Sequence, residues 1–88
     1  MNQILAAPIN YLSAVNTASS PVPLLMPGKL LWGILEDIQT GPEDLIGVTI
    51  EGTDRLVGSE ILSRIEGHVG SLVTVWNIAG EFHAGVLT

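Results

Sequence analysis

From Leu30 onward the chain repeats one pattern. Short runs in which apolar side chains recur every second residue are separated by glycine-bearing turns. Alternation at that spacing is the mark of strands with one face on a core. Lys29 to Gln39 predicts a first strand with Leu30, Trp32, Ile34 and Ile38 on one face, interrupted by Glu36. Leu31 and Leu35 fall on the other face, with Gly33 between them. Both faces are apolar at the start, so the first half is expected to be covered on both sides. Gly33 is expected to mark a bulge or a close backbone approach. Thr40 to Asp44 is a turn, and Leu45 to Gly52 a second strand whose Gly47, Thr49 and Glu51 form a wet face. Gly52 to Asp54 turns the chain into a short third strand, Arg55 to Gly58.

The period then changes. Ser59 reads as a helix N-cap, and Glu60 as a first-turn carboxylate favoured by the helix dipole. Ile61, Leu62, Ile65 and Val69 recur at helical spacing, with Gly67 and Gly70 as stop signals. The expected helix runs for about eight to ten residues. Ser71 to Ile78 is a strand, Ala79-Gly80 a two-residue hairpin turn, and Glu81 to Leu87 the returning strand.

This order of strand, strand, short strand, helix, strand, strand over Lys29 to Thr88 resembles a small five-stranded barrel of the OB type, with an SH3-like barrel as rival and an open sheet with one helix next. The expected class is therefore mainly β: a small barrel domain over residues 29–88, preceded by an arm.

Residues 1–28 form that arm, and they follow a different rule. They hold no Asp, Glu, Lys or Arg, and four of the five prolines: Pro8, Pro21, Pro23 and Pro27. Ile9, Leu12 and Val15 share a face if a short helix starts at Pro8; an extended segment is the alternative. Pro21 to Pro27 is driven to extended geometry, because each proline fixes its own φ and restricts the residue before it. An extended segment must pair its backbone with something, and a sheet edge or a neighbouring subunit suits it. Ile9, Leu12, Val22, Leu24, Leu25 and Met26 are the expected interface anchors, with Trp32 and Trp76 of the barrel.

Composition sharpens this picture. At 88 residues the chain makes one domain with a marginal core, and without cysteine it has neither disulfides nor thiolate metal sites. Oligomerisation is the remaining support for a fold of this size. Only 14% of residues are charged, against about 25% in a typical domain, which points to surface covered by partners. A net charge of −6 with three basic residues argues against nucleic acid and anionic membranes as partners. The start lacks a basic residue and is interrupted by Pro8, so no secretory signal is expected, and no apolar run is long enough to span a bilayer. A soluble protein is expected.

Candidate chemistry is sparse. Glu36, Asp37, Glu43 and Asp44 flank the first turn and supply oxygens of the type Ca²⁺ takes, but their spacing fits no EF-hand; a hydrated hairpin end is the simpler reading. His68 with Glu66, or His83 with Glu81, could form an acid–base pair, yet no nucleophile accompanies them. Trp32 and Trp76 read as core or interface anchors before stacking platforms for bases or sugars. Gly67 to Gly70 lacks the lysine and the following helix of a phosphate loop. No catalytic, cofactor or metal residue is assigned. The expected function is a non-enzymatic structural subunit that assembles with itself or within a larger protein assembly through its arm, a virion component such as a capsid decoration or tail protein being one setting. The alternative is a binding module for a protein or small ligand on a Trp-bearing face.

Overall fold

The computed structural model describes residues 21–88. Five strands, β1 (Leu30–Thr40), β2 (Leu45–Ile50), β3 (Thr53–Gly58), β4 (Leu72–Ile78) and β5 (Glu81–Val86), form one antiparallel sheet in the order β3-β2-β1-β4-β5. The fold is thus mainly β, with the helical segment between β3 and β4 as expected. β3 and β5 lie near one another, but no strand pairing joins them.

β1 organises the sheet because its two halves pair with different neighbours. Leu30 to Ile34 pair with β4, and Leu35 to Thr40 with β2. Between Leu35 and Asp37 the register shifts by a bulge at Glu36. The extra residue reverses which side chains face the core. Before it Leu31 and Leu35 point inward; after it Ile38 does, opposite the buried Val48. The sequence pattern places Ile38 with Leu30, Trp32 and Ile34, and the bulge separates them. The expected bulge position, Gly33, does something else. Its φ of +145° and the Glu51 side chain lying where a Cβ would stand make it a point of close approach.

The kink is held from the β2–β3 turn. Glu51 and Gly52 both adopt positive φ, 46° and 82°, which makes the connection a two-residue reversal from Ile50 to Thr53. The Ile34 N–H donates to Glu51 Oε2 at 2.9 Å and the Gly52 N–H to Glu36 Oε1 at 3.1 Å, while the Glu51 N–H donates to the Ile34 carbonyl. The turn is therefore Glu51-Gly52 and begins one residue before the expected Gly52 to Asp54, and β3 starts at Thr53, two residues earlier than the pattern suggests. Ala79 and Gly80 make the same reversal between β4 and β5, with φ of 53° and 90°.

The helical segment is shorter than expected. A 3₁₀ turn, η1 (Ser59–Ile61), leads into a single α turn, α1 (Leu62–Ile65). Ser59 caps nothing with its side chain; its own N–H donates to the Asp44 carbonyl. The chain leaves the helix at Glu66, which is extended, and Gly67 turns it in the left-handed region. Val69, placed on the helix by its spacing, stands 55% exposed beyond the end. Ile61 and Ile65 are enough to seat the short segment on the core.

The core is a single cluster: Leu25, Leu35, Ile46, Val48, Ile50, Val57, Ile61, Ile65, Val73, Val75 and Ala84. Leu25 comes from the segment before β1. Pro23 to Leu25 runs parallel to β3, with the Leu25 N–H donating to the Leu56 carbonyl at 2.9 Å and the Leu56 N–H to that of Pro23 at 2.8 Å. Extended geometry at these residues and docking on a sheet edge agree with the proline pattern. The chain then reverses over Met26 to Lys29 through a bond from the Lys29 N–H to the Met26 carbonyl. Proline at the first central position and a glycine at φ 83° in the second are what a type II turn requires.

Candidate interaction face

Antiparallel pairing aligns alternate residues of three strands on the outer side of the sheet. Leu30 sits beside Trp76 and Trp76 beside His83; Trp32 sits beside Thr74 and Thr74 beside Gly85. Ile34 and Leu72 extend the same face at one end and Ile78 at the other. The apolar members of this face are Leu30, Trp32, Ile34, Leu72, Trp76 and Ile78, of which Leu72 and Trp76 are half-buried. Leu30, Trp32 and Ile78 are 59%, 62% and 57% exposed, and Ile34 and Leu87 are exposed as well. The covering expected over the first half of β1 is therefore present on the inner side only, where Leu31 and Leu35 point into the chain's own core. Scattered exposed apolar residues are ordinary, but a contiguous face with two tryptophans marks an interaction surface.

Trp76 gives the face its rigid centre. Its ring stacks on the His83 imidazole, with centroids 5.6 Å apart and planes 16° from parallel. His83 Nε2 lies 3.3 Å from Glu81 Oε1. Sequence spacing pairs His83 with Glu81 for proton transfer; the structure adds the stack of Trp76 on the half-buried imidazole. Beside Trp76 the surface dips into an open cavity of about 380 Å³ lined by Gly28, Lys29, Leu30, Thr74, Trp76 and Ile78.

One buried polar residue fixes this edge of the molecule. Asn77 is 2% exposed. Its side-chain amide donates to the Leu25 carbonyl at 2.8 Å, and its Oδ1 accepts from the Gly80 N–H at 2.7 Å. Its backbone carbonyl accepts from Gly28, and its N–H donates to the carbonyl of Lys29. Asn77 thus ties the pre-strand segment, the start of β1 and the β4–β5 turn together with no polar group left over. The alternation of β4 marks Asn77 as inward-facing but says nothing of its partners Leu25, Gly28 and Lys29 at the far end of the described chain.

The expected anchors separate into three groups. Trp32 and Trp76 share the outer face just described. Leu25 is buried in this chain's own core, while Val22, Leu24 and Met26 around it are exposed at 38%, 38% and 56%. Ile9 and Leu12 lie outside the described residues. The acidic turn shows no convergence: Asp37 accepts from the Ile38 N–H and the Gln39 side chain, and Glu36 is committed to Gly52. Among the described residues no three His, Asp or Glu side chains come together as a metal site, and no helix is long and apolar enough to cross a membrane. Compared with protein-family models, curated proteins and solved structures, the chain matches none of them.

Proposed function

We propose that this chain is a non-enzymatic structural subunit that assembles with copies of itself, the kind of small β domain from which rings, tubes and shells are built. The observation that carries this reading is the outer face on which Leu30, Trp32, Ile34 and Ile78 stand exposed around a half-buried Trp76, on a chain whose residues 1–20 are uncharged and carry further apolar side chains. Aromatic anchors in a low-charge patch are what the centre of a protein–protein interface contains. The strand order is consistent with an OB-like barrel opened between β3 and β5. Sedimentation velocity on the full chain tests the proposal. Oligomers at micromolar concentration, reduced to monomers by Trp32→Ser, are the expected result; a monomer throughout that range would overturn it.

A second reading has one observation in its favour. The cavity beside Trp76 is of a size that holds a small ligand, about 300 Å³ and upward. A binding module would be monomeric and would show saturable quenching of tryptophan fluorescence by an apolar probe such as anilinonaphthalene sulfonate.

A further inference from the structure

Charge is scarce in this chain, and the little that is positive is gathered in one place. Lys29, Arg55 and Arg64 are the whole basic set, against nine carboxylates. Lys29 lines the cavity beside Trp76. Lys29 and Arg55 together line a second cavity, of about 410 Å³, with Pro23, Leu24, Met26 and Leu30. Lys29 and Leu30 border both cavities, so the two adjoin there as one groove across the start of β1. No carboxylate lines either part. Three other cavities are each bordered by one: Glu43, Glu60 or Asp54.

Both cations have donors to offer. Among the described residues no carboxylate lies within ion-pair distance of Lys29 or Arg55. Arg55 donates one N–H to the neighbouring Asp54 carbonyl at 2.7 Å, and the rest of its donor fork remains. Lys29 is exposed and Arg55 half-buried. Each cavity is of a size that holds a small ligand, about 300 Å³ and upward. An apolar groove with two cations and no anion is complementary to an amphipathic anion. A guanidinium and an ammonium lining one cavity match a carboxylate head. A phosphate dianion suits the site less, because the net charge of −6 repels its second charge as well.

We propose that this groove binds an aliphatic monocarboxylate, with its tail against Leu30, Trp76 and Ile78 and its head between Lys29 and Arg55. This rests on the ligand-binding reading above and names the ligand class for the same site.

Two amphiphiles with one tail and opposite heads test it. Decanoate and decyltrimethylammonium, each kept below its micelle concentration, are titrated into the full-length chain. Trp32→Phe removes the only other tryptophan, so fluorescence reports Trp76 alone. Decanoate is expected to saturate the signal about tenfold more tightly than the cation, against the sign of the chain's net charge. Lys29→Gln/Arg55→Gln should weaken decanoate about five- to tenfold and leave the cation bound no less tightly. Unchanged far-UV circular dichroism and thermal melting establish that the double variant is folded; should it not fold, the amphiphile comparison on the unaltered groove decides alone. Equal affinity for the two amphiphiles, or decanoate affinity unchanged in the folded double variant, would overturn the carboxylate site and leave ligand binding in place. Saturation by neither would overturn both, and sedimentation of the same sample as an oligomer would then assign the groove to a second copy.

Discussion

The two outer faces of the sheet are built from the same strand and dressed in opposite ways. On the β1–β4–β5 side Leu30, Trp32, Ile34 and Ile78 stand in the open. On the β1–β2–β3 side the outward positions are Asp37, Gln39, Leu45, Gly47, Thr49, Asp54 and Leu56; the two leucines are half-buried, and Thr49 donates to Asp54 at 2.5 Å. The second face is that of an ordinary hydrated domain; the first resembles a core with one wall missing. The difference originates at Glu36. Without the bulge, the alternation that sets Trp32 outward would continue through Ile38, and an apolar stripe broken only at Glu36 would run the length of β1. With it, the stripe ends at Ile34 and Ile38 turns to the core. One inserted residue thus confines the apolar surface to half of the sheet.

The same contrast runs through the segment before β1, and there the largest effect is expected. Leu25→Ala empties a core position that is 4% exposed, and should cost about 2–5 kcal/mol in chemical denaturation. Met26→Ala, at the adjacent but 56% exposed position, should stay within about 0.5 kcal/mol. Equal effects at the two positions would mean that the segment does not pack on its own chain.

Next in size is the kink. Gly33→Ala introduces a Cβ at φ +145° and 2.8 Å from the Glu51 side chain, and should destabilise by about 1–3 kcal/mol. Glu51→Ala removes the obstructing carboxylate together with its bond to Ile34. The double variant should therefore lose less than the sum of the single losses in a thermodynamic cycle. Strict additivity would show that Glu51 does not hold the bend.

The smallest effect on stability, and the most telling comparison, is between the faces. Trp32→Ser and Asp54→Asn should each change folding stability by about 0.5 kcal/mol or less. Only the first should lower the sedimentation coefficient. If Asp54→Asn also dispersed the oligomer, the interface would extend over the hydrated face.

The strands were legible in the sequence because their evidence is local. Alternation placed the limits of β1, β2, β4 and β5 within a residue or two, and Ala79-Gly80 announced its hairpin. What failed to show depended on contacts distant in sequence. The β2–β3 turn uses Glu51 at positive φ, an unfavourable choice for a glutamate until its carboxylate is seen to accept from Ile34 on another strand. The helix ends after one α turn because Gly67, not Gly70, is the effective stop. Trp32 and its neighbours read as doubly covered because alternation records which side chains are apolar, not whether this chain supplies their cover. The pairing of Asn77 with Leu25 spans 52 residues and has no local signature.

That last contact has a kinetic consequence. Asn77 is bonded at once to Leu25, Gly28, Lys29 and Gly80, so none of these can part from it singly without leaving a buried polar group unsatisfied. The entry segment and the far hairpin, remote in sequence, should open and close as one cooperative unit. A restraint placed on the chain near Pro23 would then also quiet the Ala79-Gly80 hairpin beside the tryptophan face.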